Sequence, residues 1–167
     1  MQRIAITGPE SSGKTTLARA LAAHFGVPWV PEFAREYLEG LDRPYVEEDL
    51  LRIAEGQLET EQRIASERPS MLVCDTDLLV IRIWSQEKFG RVDPRLEELV
   101  HRTEYHRTLL CRPDLPWEPD PLRENPLDRD RLFGLYEQEL NALGRTYTVI
   151  HGGRTERLHR AVHAVAG

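Results

Sequence analysis

The stretch Gly8-Pro9-Glu10-Ser11-Ser12-Gly13-Lys14-Thr15 decides the reading of this chain of 167 residues. It has the form G-x-x-x-x-G-K-[ST], and each residue type in it answers a physical need. Gly8 and Gly13 let the backbone turn tightly, so that successive N–H groups face one concavity. A helix starting at its end adds the partial positive charge of its first turn to that nest. Lys14 supplies a point charge for the β- and γ-phosphates of a nucleotide, and the Thr15 hydroxyl a hard oxygen ligand for Mg²⁺. Gly8, Glu10, Ser11, Ser12, Gly13, Lys14, Thr15 and Thr16 are therefore the candidate nucleotide-binding residues, and Lys14 is also a candidate catalytic group. The sequence has no guanine-reading Asn-Lys-x-Asp segment, so ATP with Mg²⁺ is the expected ligand.

Outward from this loop, Arg3–Thr7 reads as a strand, and a helical pattern opens at Gly13 and runs to Phe25, where Gly26 and Pro28 stop it. Further short apolar runs lie at Val27–Val30, Met71–Asp75, Arg107–Cys111 and Tyr147–His151, alternating with longer helical patterns. That alternation predicts βαβ units around a mostly parallel sheet, an α/β fold. Within Glu47–Arg68, Leu51, Ala54, Leu58 and Ala65 recur at helical spacing. Leu132, Tyr136, Leu140 and Leu143 do the same, as do Leu158, Ala161, Val162 and Val165. All three stripes read as core faces.

Residues 1–167 fit one domain, with 40% hydrophobic and 30% charged residues in an ordinary globular balance. The formal net charge of −6 argues against a nucleic-acid partner, which needs clustered Lys and Arg. No apolar run approaches the roughly 18 residues of a spanning helix, so no membrane association is expected. The N-terminus enters a strand pattern at once, without a charged leader or cleavage site, and a cytoplasmic location is expected. Cys74 and Cys111 each sit in an apolar stretch and read as buried free thiols. The histidines form no zinc-ligand pattern. Oligomeric state leaves no trace in the sequence.

Ligands of parallel sheets bind beyond the carboxyl ends of the strands. The third predicted strand ends in Cys74-Asp75-Thr76-Asp77. Asp75 fits the carboxylate that holds Mg²⁺ together with Thr15, or else a cap for the helix that follows. Asp77 admits two readings, an N-cap for a helix over Leu78–Lys88 or a substrate contact. After the second strand comes Pro31-Glu32-Phe33-Ala34-Arg35-Glu36-Tyr37. Glu32 there can take the proton of an attacking hydroxyl or bond a ribose diol, with Arg35 one turn on orienting the same ligand. The same residues also suit an ordinary helix start with an acidic first turn. Trp29 reads as core before it reads as a stacking platform.

One composition break remains: Arg112–Pro126 holds five prolines among charged residues. A long segment of that kind inside a compact domain is a functional lid or a solvated loop. Phosphoryl transfer needs cations on the γ-phosphate and exclusion of water, and a closing arginine-bearing segment supplies both. Arg123 is the first candidate for that cation, with Arg129 or Arg131 the second. The glycines of Ile150-His151-Gly152-Gly153-Arg154 suit either a close approach to adenine or a plain strand-to-helix turn.

Taken together, Gly-Pro-Glu-Ser-Ser-Gly-Lys-Thr-Thr, Pro-Glu32-Phe-Ala-Arg35-Glu36-Tyr, Asp75-Thr-Asp77 and Pro-Asp-Leu-Pro-Trp117-Glu-Pro-Asp120-Pro-Leu-Arg123 carry a resemblance. The chain resembles the ribosylnicotinamide kinase domain of NadR-type NAD biosynthesis proteins and the free-standing P-loop ATPase/kinases related to it. The resemblance implies a nucleoside-kinase-like P-loop NTPase fold, a three-layer sandwich with a five-stranded parallel sheet and a lid after the fourth strand, at about residues 112–127. It implies transfer of the ATP γ-phosphate to the 5′-hydroxyl of nicotinamide riboside, giving nicotinamide mononucleotide. It raises Asp75 as Mg²⁺ ligand, Glu32 with Arg35 at the acceptor, and Arg123 in the lid. The adenylyltransferase His-x-x-His or His-x-Gly-His signature of the multifunctional members is missing, as is an evident helix-turn-helix module. Two other functions stay in view: an ATP-hydrolysing switch acting on a protein partner, and a kinase for another nucleoside or cofactor precursor.

Overall fold

The chain runs β1 (Gln2–Thr7), α1 (Lys14–Phe25), β2 (Trp29–Val30), α2 (Phe33–Glu39), α3 (Glu47–Ala65), β3 (Met71–Asp75), α4 (Leu78–Phe89), α5 (Pro94–Arg102), β4 (Arg107–Cys111), α6 (Arg129–Ala142), β5 (Thr148–Ile150) and α7 (Arg154–Ala166). The computed structural model describes residues 1–120, 122–124 and 127–167. Among the described residues the strands form one five-stranded sheet, parallel throughout, in the order β2-β3-β1-β4-β5. The chain leaves β1 toward the β2 edge and leaves β3 toward the β4 side. That reversal opens a crevice at the carboxyl ends of β1 and β3, where such sheets bind ligands.

Period-two alternation along the strands feeds two cores. Ile4, Ile6, Val73, Leu109 and Cys111 pack with Leu17, Leu21, Ala161 and Val165 of α1 and α7. On the opposite face Leu110 packs with Leu79 of α4 and with Leu132, Phe133, Tyr136 and Leu140 of α6. A further cluster joins α2, α3, α4 and α5 through Ala34, Leu50, Ile53, Ile81, Leu96 and Val100. Each Val, Leu, Ile or Phe among them contributes about 1.5–3 kcal/mol on full burial, and these layers hold the strand ends in fixed register. Both cysteines are buried free thiols, as their apolar surroundings predict.

The differences from the sequence-based expectation lie at element ends. β2 is two residues, not four, because Pro28 has no N–H to give the ladder, although its carbonyl accepts from Val73 N at 3.3 Å. α3 stops at Ala65 rather than Arg68, which takes the left-handed conformation with φ 57°. α5, which the periodicity did not delimit, starts from an Asp93 cap accepting Arg95 N–H at 2.8 Å, with Pro94 as its first residue.

Candidate active site

The loop between β1 and α1 has the geometry its glycines predict. Gly8 has φ 141°, and a Cβ there would lie 2.8 Å from the Cys111 carbonyl oxygen at the end of β4. Gly13 has φ 82°, and a Cβ there would lie 2.9 Å from Leu115 Cδ1. Ser11 is also left-handed, with φ 56°, so the backbone curls and its amides converge. The Ser12 hydroxyl is buried and donates to Pro9 O at 2.6 Å, which leaves its backbone, not its side chain, for a phosphate. Lys14 Nζ donates to Gly8 O and Pro9 O, both at 2.8 Å, so its charge rests on the carbonyls of its own loop.

Parallel pairing sets Ile6 opposite Asp75, which brings the end of β3 beside the start of the loop. Thr15 Oγ1 donates to Asp75 Oδ2 at 2.6 Å. Asp75 Oδ1 is buried and has no hydrogen-bond partner among the described residues. Burial pushes the Asp75 carboxyl up to about 6; the Thr15 hydroxyl works against that rise, Glu32 adds to it, and Lys14 and Arg35 oppose it. An orphaned carboxylate oxygen next to a threonine hydroxyl is a hard-oxygen donor set, and these residues fit Mg²⁺.

Asp77 does not line the cavity; it is fully buried at the foot of α4. Its Oδ1 accepts from Thr7 Oγ1 at 2.8 Å and from Val80 N at 3.4 Å, the capping alternative. Helix α4 starts at the next residue, Leu78, with Asp77 as its N-cap.

A cavity of about 730 Å³ extends from the loop. Gly8 to Thr16 form one end, and Glu32, Arg35, Ile83, Trp84 and Tyr136 belong to the other walls. Glu32 is the N-cap residue of α2 but makes no side-chain cap bond, so its carboxylate remains available to the cavity. Arg35 is paired with Asp120 at 3.0 Å and with Glu39 at 3.9 Å. Trp29 packs against the α1 core, as the bland reading has it.

Residues 112–120, 122–124 and 127 lie across the loop; Pro121, Asn125 and Pro126 of the expected lid fall outside the described residues. Glu118 N donates to Ser11 Oγ at 2.9 Å, and Glu124 N to the Glu10 carboxylate at 3.1 and 3.2 Å. Glu10 and Ser11 thus clasp this segment with the side chains that were expected at the nucleotide. Of the three candidate arginines, Arg123 and Arg131 line the cavity, and Arg123 donates to the Glu118 carbonyl of its own segment. Arg129 reaches the loop itself, donating to Ser11 O at 3.1 Å and Leu115 O at 2.8 Å. Arg131 forms a two-pronged pair with Glu87 at 3.0 and 2.9 Å.

The family of AAA domains matches residues 3–157, almost the whole chain. This chain belongs to that AAA domain family. It is similar to the trifunctional NAD biosynthesis/regulator protein NadR of Salmonella typhimurium and of Escherichia coli, 27% identical to each over 135 residues. The alignment covers 78% of this chain and 33% of those proteins, so the chain spans about a third of the length of the curated relatives it matches. A crystal structure of NadR in complex with NR superposes with TM-score 0.82 at 24% identity, covering 98% of this chain and 50% of that one. The deoxyadenosine kinase of M. mycoides superposes with TM-score 0.66 at 13% identity, covering 99% of both chains. These structural likenesses establish the P-loop kinase fold.

In this AAA domain several residues near the site escaped sequence reasoning. Arg157, which no motif singled out, is 3% exposed and donates to the Ser12 carbonyl at 2.6 Å. Tyr45 donates to Glu124 Oε1 at 2.6 Å and accepts from Trp84 Nε1 at 3.0 Å, tying the segment to α4. An isolated tyrosine or tryptophan carries no sequence signal for such a role. For Arg157 a weak one existed: an arginine set among Leu158, Ala161 and Val165 on the buried stripe of α7.

Proposed function

We propose that this chain is an ATP-dependent kinase that phosphorylates the 5′-hydroxyl of a ribosyl nucleoside, with nicotinamide riboside the first candidate. The observation that carries the reading is the Thr15–Asp75 pair with its orphaned Oδ1, at a cavity that the phosphate loop and Glu32 both line. The printed names of the relatives support the acceptor: NadR proteins are NAD biosynthesis proteins, and one is solved with NR. In this reading residues 1–167 act as one P-loop domain, with segment 112–127 as its lid.

The nest amides and Lys14 bind the triphosphate, and Lys14 exchanges its two loop carbonyls for phosphate oxygens. Thr15 and Asp75 would hold Mg²⁺, which when bound neutralises charge on the transferring phosphoryl group. Glu32 accepts the proton of the acceptor hydroxyl as its oxygen bonds to the γ-phosphorus and the bond to ADP breaks. Arg35 orients the acceptor, while Arg123 comes off the Glu118 carbonyl to meet the developing charge. The closed segment excludes water, without which ATP would be hydrolysed. No helix among the described residues is long and apolar enough to cross a membrane. Two buried free thiols suit a reducing, cytoplasmic setting.

The test is ATP turnover with and without a panel of nucleosides, with products separated. Slow hydrolysis should rise strongly with one acceptor and yield a phosphorylated nucleoside. Stimulation by a protein alone, with no phosphorylated small molecule, would replace the kinase by an ATPase switch. Glu32→Gln should lower kcat more than ATP affinity; an unchanged kcat clears Glu32 of the base role.

A further inference from the structure

Arg157 is a buried cation that the proposed chemistry does not use, and all of its donors point to the phosphate loop or to what surrounds it. Nε donates to Gly152 O at 2.8 Å, Nη1 to Ser12 O at 2.6 Å and Nη2 to Arg112 O at 2.8 Å. Nη2 also pairs with Asp114 Oδ1, while Asp114 Oδ2 accepts Gly152 N–H at 2.8 Å. One guanidinium therefore joins the loop, the first residues after β4 and the turn before α7.

The bond to Ser12 bears on phosphate binding through peptide geometry. A trans peptide is planar, with its C=O and N–H pointing in opposite directions. Holding the Ser12 oxygen on the outside of the loop turns the Gly13 N–H inward, toward the nest. Arg129 does the same one peptide earlier, through Ser11 O at 3.1 Å, which turns the Ser12 N–H inward. Gly13 also makes room for this contact, since a Cβ there would lie 3.2 Å from Arg157 Nη1.

We propose that Arg157 is a positioning residue for nucleotide binding, one that fixes the inward aim of the Gly13 amide and ties it to the root of the segment that covers the site. Its planar fork holds the Ser12, Gly152 and Arg112 carbonyls at once, so loop curvature and the segment's root shift together. Lysine keeps the charge but not the fork, and cannot hold this set of acceptors. The proposal rests on residues 8–15 being the phosphate site.

The test is titration of the full chain with ATP, inorganic tripolyphosphate and adenosine, well below the melting temperature of each variant. Arg157→Lys should weaken ATP and tripolyphosphate at least tenfold, about 1.4 kcal/mol, and leave adenosine binding unchanged. A lower melting point with wild-type tripolyphosphate affinity would mean that Arg157 only packs, and overturns the proposal. Asp114→Ala removes one anchor of the guanidinium, at a side chain 32% exposed, and leaves the Ser12, Gly152 and Arg112 carbonyls to hold it. It should weaken tripolyphosphate at least threefold, and wild-type affinity there overturns the proposal even if Arg157→Lys does not fold. A wild-type chain that binds neither ATP nor tripolyphosphate overturns the phosphate-site reading itself, and this inference with it.

Discussion

Asp75→Asn should make the ligand-free protein more stable at pH 8 while removing its Mg²⁺-dependent grip on ATP. An ordinary aspartate in the unfolded chain ionises near 3.8, whereas burial pushes folded Asp75 up to about 6. Between those values the folded state keeps a proton that the unfolded state has lost. The stability tied to this group is thus whole below about 3.8 and drains away as pH rises through about 6. Roughly two pKa units at about 1.4 kcal/mol each make the loss about 3 kcal/mol. Asparagine keeps an oxygen for the Thr15 hydroxyl but puts an unpartnered NH₂ where Oδ1 is orphaned, at a cost of about 1 kcal/mol. The variant should therefore be about 1 kcal/mol less stable than wild type at pH 3.5 and about 2 kcal/mol more stable at pH 8. Urea unfolding of both proteins across that range, with a chelator and no nucleotide, measures the difference. Glu61, pushed up to about 7 chiefly by burial, and Asp77, raised for the same first reason, titrate in both proteins and cancel to first order. A difference that does not change with pH, or a variant weaker than wild type at pH 8, refutes the reasoning.

Other expectations follow from single contacts. Lys14→Ala should lower turnover at least about 10²-fold, the scale of one lost transition-state donor, with unfolding midpoints near wild type. Gly56→Ala in α3 would set a Cβ 2.1 Å from Phe33 Cε1. Helix propensity gains about 1 kcal/mol, but overpacking costs about 1–3 kcal/mol and displaces the start of α2. Net destabilisation together with a raised KM for the acceptor is expected, and a stabilised variant would contradict it. Asp120→Ala removes the 3.0 Å partner of half-exposed Arg35, a pair contributing no more than about 1 kcal/mol. The melting point should barely move, while protease cuts segment 112–120 faster in the absence of ligands; an unchanged cutting rate would show that the pair does not hold the segment.

Everything governed by local chemistry was legible in the residues. The glycines and Lys14-Thr15 specified a phosphate loop between a strand and a helix, and the apolar stripes of α3, α6 and α7 specified the layers. Strand alternation and the position of Asp75 at a strand end were enough to bring it to the site, because a parallel sheet fixes where strand ends meet. Boundaries slipped where one backbone group overruled the pattern, as Pro28 did in β2 and Arg68 after α3.

Tertiary structure decided what depends on contacts between distant positions. Asp77 became a buried cap because α4 starts right after it and Thr7, 70 residues away, donates to it. Glu10 and Ser11 became clasps for the covering segment because Glu124 and Glu118 arrive over the loop from more than 100 residues on. Arg157 meets Ser12 across 145 positions, and no periodicity or motif encodes such a meeting. A side chain's residue type says which bonds it is able to make. Which groups it faces is set by how the layers pack, and that packing is a property of the whole chain.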